Sequence, residues 1–375
     1  MNVERLHSLL LNAIGEIEDC NTLELIVGLR DRTQQLASNP QHPDIQRDFS
    51  DMRSRLMEAL DIAASNSLSP GTVRDLENLN IMKYLGNSLA DRIDTILTQN
   101  EITLAVASDQ ITQITTDLQD LYNYLKTVVV AFETLNIDKD EPAPGEVEAS
   151  VMLPRSSINN SLRSLGAEFR ELEQIFADVT ELATGSRPST SVRSIASSDF
   201  SVYLELAPEA AAFLAVAVER VIALYRNLLE IRRIRSEASA AGLSDDQLRG
   251  IDKHIAERMD QGVDETVDEL FVEMEIAVSD DSRRNELKVS LRRSLSGVAA
   301  RIDRGYQFDV RVGEILEDVD KDGSEVGERS SLASSWRLIE NSREGLTFLR
   351  LEGDPILQLP SAEPSEIARD EEQSR

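Results

Sequence analysis

The sequence predicts a mostly α-helical protein: an N-terminal helical bundle followed by a small α+β domain with long heptad-patterned helices and a few short strands. Three observations predict this class. Apolar residues recur at alternating steps of three and four along 104–132, aromatics are only 4% of 375 residues, and a charged, proline-containing segment interrupts the helical pattern at 138–145. A stripe with heptad spacing lies on one side of a helix and is buried against another helix.

Residues 1–136 carry five amphipathic segments, which predict an antiparallel helical bundle. The second and third segments are separated by Asn39-Pro40 and His42-Pro43, because proline disfavours helical geometry in the residue before it. The fourth segment is predicted as one helix from Pro70 to Ile96, with Ser69 as its N-cap. The fifth carries the heptad stripe, which consists of Leu104, Ala107, Ile111, Ile114, Leu118, Leu121, Leu125, Val128 and Phe132.

We interpret 137–146 as a linker, since 138–145 combines four charges, two prolines and a glycine. The α+β domain is predicted to span 147–316. Strict alternation of apolar residues predicts strands, whereas steps of three and four predict helices. The predicted order is a strand from Val147, a helix through 158–179, two strands within 192–206, three helices beginning at Pro208, after Ser244 and near Asp281, and a strand over 306–312.

The C-terminal region, 317–375, is predicted to be mostly irregular and acidic, with one weak further element at 346–351 and disorder from about residue 360. Its best motif matches the opening of a calcium-binding loop, with carboxylates at Asp318, Asp320 and Asp322 followed by a glycine. The twelfth position of that loop is Arg329 instead of a bidentate glutamate. We interpret the motif as an ordinary solvated loop, with weak cation binding as the alternative.

The formal net charge is −29, from 39 basic and 68 acidic residues. A negative field of this size argues against a nucleic-acid partner and against anionic lipid. Cys20 is the only cysteine, so an intramolecular disulfide is excluded. The sequence shows no secretory signal at its start and no apolar run long enough to cross a membrane, so we expect a soluble, cytoplasmic protein.

Basic residues stand out on the predicted helix that begins near Asp281. Arg284, Lys288, Arg292 and Arg293 are the candidates for binding an anion such as a phosphate. The alternative is internal neutralisation, because the preceding predicted helix is rich in Asp and Glu, and antiparallel neighbours of opposite charge stabilise each other. The Ser-rich stretch 186–198 is interpreted as a flexible connection, with phosphate binding as its alternative.

Motifs for catalysis are missing from the sequence: it has no nucleophile elbow, no phosphate-binding glycine loop and no cluster of its three histidines. We therefore expect no cofactor and a non-catalytic protein that presents helical surfaces to a protein partner or to itself. Its seam candidates are Ile114, Leu118, Leu121 and Leu125, which could pack inside the bundle or between chains. The alternative function is a regulator that senses a nucleotide or other anion at the small sheet and the arginine-rich helix.

Overall fold

Eleven α-helices and four β-strands form the described part of the computed structural model, which comprises residues 2–196, 200–313, 326–343, 345–349, 351 and 353–359 (backbone only at 245–247 and 326–331). The chain divides into two compact units, Met1–Glu141 and Pro142–Arg375. Each unit has its own apolar core. The predicted fold class, mostly α with a small α+β part, is confirmed. The division lies inside the segment 137–146 that we interpreted as a linker.

The N-terminal unit consists of six α-helices and two short 3₁₀ turns. Its core is built almost entirely from aliphatic side chains, as the low aromatic content requires, and its longest helix packs along the second. The helices are α1 (Val3–Asp19), α2 (Thr22–Ser38), α3 (Pro43–Asp61), α4 (Pro70–Asn78), α5 (Gly86–Gln99) and α6 (Leu104–Thr134), and the 3₁₀ turns are Ala64–Ser67 and Met82–Tyr84.

The predicted single helix over Pro70–Ile96 is wrong, because the chain breaks there into α4, a 3₁₀ turn and α5. Asn80 and Gly86 both have positive φ angles, which end a right-handed helix. At Gly86 a Cβ atom would clash with the side chains of Ser65 and Asn66, and the positive φ angle also favours glycine. The buried Glu16 carboxylate accepts hydrogen bonds from the backbone N–H of Gly86 at 3.0 Å and of Ser65 at 2.6 Å, which fixes this break.

The C-terminal unit contains five helices and four strands among its described residues. Its longest helix runs through the middle of the unit and contacts the other four helices as well as the sheet. In chain order the elements are β1 (Val147–Met152), α7 (Leu162–Thr184), β2 (Ser191–Ala196), β3 (Ser201–Leu206), α8 (Pro208–Ala240), α9 (Asp245–Glu273), α10 (Asp281–Ile302), β4 (Gln307–Val312) and α11 (Val326–Arg343).

The four strands form one antiparallel sheet in the order β2-β3-β1-β4. Alternation places Val147, Ala149 and Val151 of β1 on one face, where all three are buried against α8. Their register partners on the neighbouring strands include Leu204 and Val310, which are buried as well. The sheet therefore has one apolar face that packs on helices, the arrangement expected of an α+β domain.

Two predicted helix boundaries in this unit are wrong. Helix α7 begins at Leu162 with Ser161 as its N-cap, so the predicted start near Ile158 lies in a turn. Helix α9 ends at Glu273, whereas the apolar spacing of the helix predicted after Ser244 continues to about Val278. Apolar spacing continues past both boundaries, and the spacing alone does not show where the backbone leaves the helix.

Within 317–375, the region predicted to be mostly irregular, the structure has one helix, because α11 occupies Val326–Arg343 and packs against α8. The apolar residues of this helix stand at helical spacing, at Leu332, Trp336 and Ile339, but the serines between them weaken the pattern. Ile339 is fully buried. Leu346–Leu349 is neither helix nor strand in the structure. The tail from residue 360, where disorder was predicted, lies outside the described residues. Within the described part of the chain, no helix combines the length and apolarity needed to cross a bilayer.

Candidate functional site

Helix α10 carries the four residues predicted to bind an anion, and two of them form ion pairs with the neighbouring helix α9. The Nζ atom of Lys288 lies 2.6 Å from Asp268 Oδ1. Arg292 forms an ion pair with Asp264 one turn further along. Acidic side chains of α9 therefore neutralise part of the basic face of α10, which is the arrangement that the internal-neutralisation alternative describes.

The four candidates are not brought together at one site. The guanidinium carbon of Arg284 lies 5.7 Å from the centre of the Phe271 ring on α9, within the range of a cation–π contact. Arg293, by contrast, lines a cleft between α7 and α10. The basic residues of α10 thus divide between two neighbours, with Arg284, Lys288 and Arg292 towards α9 and Arg293 towards α7.

The cleft between α7 and α10 has a volume of about 260 Å³ and a polar lining. At its base the buried Asp178 carboxylate accepts hydrogen bonds from Ser290 Oγ at 2.6 Å, Ser294 Oγ at 2.8 Å and Gln174 Nε2 at 2.9 Å. Arg187 also lies 3.1 Å from this carboxylate. The Asp178 carboxylate in the cleft therefore already has hydrogen-bond donors from the chain itself. The lining consists of Arg170, Glu171, Gln174, Ile175, Asp178, Ser290, Arg293, Ser294, Gly297 and Arg301.

The candidate cation loop, Asp318, Asp320 and Asp322, lies outside the described residues. Within the described residues, no group of three or more His, Cys, Asp or Glu side chains is arranged to hold a metal ion.

The three histidines and the single cysteine occupy separate places. His7 is buried, and its Nδ1 atom lies 2.9 Å from the carbonyl oxygen of Ile137. His42 is the N-cap residue of α3, and His254 is exposed on α9. Cys20 follows α1 as a free, half-buried thiol whose pKa is raised by burial, which makes it a poor nucleophile at neutral pH.

The seam candidates on α6 lie mainly in the core of the N-terminal unit. Ile114, Leu118 and Leu125 are buried, while Leu121 is half-buried. Towards the end of the helix the predicted stripe departs from the core: Val128 is 37% exposed, and the buried valine is Val129. An α-helix has 3.6 residues per turn, so a strict seven-residue repeat rotates by about 20° per heptad relative to a fixed neighbour.

A second apolar stripe lies on the exposed side of α6, and we call it the outer stripe. It consists of Tyr124, Val128, Ala131 and Leu135, at steps of four, three and four. Tyr124 is 68% exposed and Leu135 is 69% exposed. At about 100° per residue all four side chains fall within a sector of roughly 60°. The outer stripe thus has the spacing of a helix-packing seam, but no part of the described structure covers it.

Helix α6 itself carries no charge on the side of the outer stripe over the length of the stripe. The only charged residues between Tyr124 and Leu135 are Lys126 and Glu133, which project from the opposite side of the helix at about 100° per residue. Lys126 contacts Glu18 of α1 there, at 3.3 Å. Nearer the start of α6, the side of the helix that carries the outer stripe is polar. Asp117 lies on that side and accepts hydrogen bonds from Gln113 and Tyr84. An apolar partner can therefore approach the last three turns of α6 but not its first half.

Sequence reasoning missed Tyr124 and Leu135, because the heptad stripe was followed in a single register. The signal was present, since the two residues are apolar and stand at helical spacing from Val128. A helix with one buried face needs no second apolar stripe. A search of α6 for apolar residues outside the heptad stripe would have found Tyr124 and Leu135.

A buried charged cluster, also missed, lies in the C-terminal unit. Asp303 is fully buried, and its Oδ1 atom accepts hydrogen bonds from Arg232 at 2.5 Å and from the Tyr225 hydroxyl. Burial, and secondly the charge of Asp303, raises the pKa of Tyr225, so this hydroxyl remains a donor. The Oδ2 atom accepts the backbone N–H groups of Ile356 at 2.6 Å and Leu357 at 2.7 Å. Because every contact is internal, we assign the cluster a structural role: it holds the segment 353–357 against α8 and α10.

Comparisons of the chain with protein families, with curated proteins and with solved structures find no match. The function is therefore argued from the residues themselves. Two features of the described structure remain as candidates, the outer stripe of α6 and the polar cleft between α7 and α10.

Proposed function

We propose that this protein is a non-catalytic interaction or scaffold protein, which presents helical surfaces to a protein partner or to another copy of itself. The observation that supports this proposal is the outer stripe of α6. Single exposed apolar side chains are normal on protein surfaces. A stripe at steps of four, three and four is different, since it repeats the spacing by which helices pack in coiled coils.

The chemistry of the stripe indicates the kind of partner. Tyr124 supplies a large aromatic side chain with a polar hydroxyl, a residue type that is enriched where proteins bind one another. Val128 and Ala131, which lie between Tyr124 and Leu135, have smaller side chains. An amphipathic helix with its own apolar stripe fits such a surface, and no opposite charge is needed for the contact. The proposal includes the cytoplasm as the compartment, in keeping with the free thiol of Cys20.

Co-purification with stripe variants tests this function. Tyr124→Glu and Leu135→Glu each place a charge in the stripe, and both positions are more than two thirds exposed, so folding should be little affected. Val130→Glu is the matched control, because Val130 is 58% exposed on the same helix, about 130° around from the stripe. The measurement is quantitative mass spectrometry of proteins that co-purify with each variant, including a second, differently tagged copy of the chain.

We expect at least one protein, or the second copy, to be retained by the wild type and by Val130→Glu but to be lost from both stripe variants. Identical sets of bound proteins for all four baits would contradict the proposal. Loss from all three variants alike would also contradict it, because the effect would then not depend on the stripe.

The second candidate function is a sensor of a small anion such as a phosphate or nucleotide. The observation in its favour is the cleft between α7 and α10, which Arg170 and Arg293 both line. The ion pairs of Lys288 and Arg292 with α9 weaken this candidate, because they occupy two of the four basic residues on which it was based. A thermal shift with phosphate or nucleotides that disappears in Arg293→Glu would favour the sensor over the scaffold.

A further inference from the structure

A pocket of about 750 Å³ lies in the C-terminal unit, where the end of α7, the start of α8, the end of α9 and the middle of α11 come together. Among the described residues it shares no lining side chain with the cleft between α7 and α10. Its volume falls within the range of about 300–1,000 Å³ that is usual for pockets that bind small organic molecules.

The lining of the pocket offers an apolar surface to the body of such a molecule. Three alanines leave room for a ligand, and the thioether of Met274 is flexible and adapts to ligands of different shape. The six apolar side chains of the lining are Ala183, Ala212, Phe213, Met274, Ala277 and Leu338. They can bury an aliphatic or aromatic group, but they do not determine which polar group the ligand carries.

Ser335 on α11 supplies a hydrogen-bonding group to the pocket. Its side chain lines the pocket and is only 5% exposed. Within the part of the chain that the structure describes, its hydroxyl forms no hydrogen bond. Polar groups as buried as this one normally have a partner, because leaving them unsatisfied is unfavourable. A ligand with a polar group would provide the missing hydrogen bond.

The charges of the pocket indicate the sign of the ligand. Three glutamates and no basic side chain stand among the described residues of its lining. Glu273 forms an ion pair with Arg220, and Glu209 stands in the first turn of α8, where the helix dipole favours a negative charge. Glu275 lies beyond the end of α9 and makes no ion pair or hydrogen bond with the described residues. Its carboxylate is therefore available to a cation, whereas an anionic ligand would be repelled.

We propose that this pocket binds a small organic amine in its protonated form. The apolar body of the amine packs against the six apolar side chains, and its ammonium group lies towards Glu275 and the Ser335 hydroxyl. An ammonium group has three N–H donors and no acceptor, so it can donate to a carboxylate and to a hydroxyl oxygen. The formal net charge of −29 also attracts small cations to the chain. This inference goes beyond the proposed function, which concerns a protein partner and does not depend on the pocket.

Isothermal titration calorimetry with three probes of one shape tests this inference. Phenylbutylamine, phenylbutanol and phenylbutyrate share the same apolar body, but at neutral pH their head groups are positive, neutral and negative. For the wild type we expect phenylbutylamine to bind at least about tenfold more tightly than phenylbutanol, the difference made by one charge-assisted hydrogen bond. Phenylbutyrate should bind most weakly of the three.

Variants of the lining separate the contribution of the charge from that of the apolar surface. Glu275→Gln should reduce the affinity for phenylbutylamine to about that for phenylbutanol and leave phenylbutanol unaffected. Ala277→Trp fills the pocket from an exposed position and should weaken both probes, and Ser335→Ala should weaken phenylbutylamine several-fold. Glu265→Gln is the matched control, because Glu265 is exposed on α9 outside the pocket and its replacement changes the net charge equally.

The control distinguishes binding in the pocket from a general attraction of amines to an acidic protein. Glu265→Gln should bind phenylbutylamine as the wild type does, and the thermal midpoint of each variant should show that it is folded. Absence of binding, or equal affinity of the wild type for the three probes, would overturn the inference. Equal weakening of phenylbutylamine by Glu275→Gln and Glu265→Gln would also overturn it, since the amine would then respond only to the net charge.

Discussion

Replacing Asp303 with alanine is expected to lower the free energy of unfolding of the C-terminal unit by about 3–5 kcal/mol, the usual effect of removing one partner of a buried ion pair. The guanidinium of Arg232 then stays buried without its carboxylate. The backbone N–H groups of Ile356 and Leu357 lose their acceptor at the same time. Trp336, the only tryptophan, lies on α11, which packs against α8, so urea unfolding followed by its fluorescence reports on this unit.

The control is Glu230→Ala, which removes an exposed acid that pairs with Arg233 on the same helix as Arg232. This variant should unfold at nearly the wild-type urea concentration, since exposed ion pairs contribute little to stability. A second check is the double variant Arg232→Leu/Asp303→Ala, in which the buried guanidinium is removed together with its carboxylate and part of the lost stability should return. An unchanged unfolding midpoint in Asp303→Ala would show that the cluster does not hold the segment 353–357 in solution.

Leu118→Glu is expected to have the largest effect in the N-terminal unit. Leu118 of α6 is fully buried in the apolar core of the N-terminal unit. The variant loses the packing of a buried leucine and gains an unpaired carboxylate in an apolar core, with a combined cost of about 5 kcal/mol or more. Because whole domains are stable by only about 5–15 kcal/mol, this unit should lose most of its stability. We expect the thermal midpoint followed by circular dichroism to fall by at least about 15 °C.

Val130→Glu is again the control, because it adds the same charge to an exposed position of the same helix. Its thermal midpoint should remain close to that of the wild type. If Leu118→Glu kept both the wild-type midpoint and the wild-type mass in solution, the assignment of this side of α6 to the core would be wrong.

The two neighbouring valines Val128 and Val129 show how far the buried face of α6 could be predicted from the sequence. Heptad spacing correctly predicted α6 and the burial of Ile114, Leu118 and Leu125. It then selected Val128, whereas the structure buries Val129. The reason is geometric, since the core contacts a straight α-helix with a period near 3.6 and not 3.5. The same rotation places Val128 on the side of α6 that carries Tyr124 and Leu135. The residue that was wrongly predicted to be buried therefore belongs to the outer stripe.

Arg232 and Arg233 show a second limit of sequence reasoning. The two residues are adjacent and of the same type, yet Arg232 is buried against Asp303 while Arg233 is exposed beside Glu230. Asp303 is 71 residues away in the chain, and no local spacing connects it to Arg232. Alternation and helical spacing predicted the strands and most helices because those patterns are local. Partners that meet only through the tertiary fold could not be predicted.

Co-purification combined with thermal unfolding tests the central claim, that α6 has one apolar face for folding and another for association. For the wild type we predict at least one bound protein, or a bound second copy, that Val130→Glu also retains. For Tyr124→Glu we predict the loss of that bound protein, with a thermal midpoint close to that of the wild type. The account is contradicted if Tyr124→Glu binds the same proteins as the wild type does, or if its midpoint falls as far as that of Leu118→Glu.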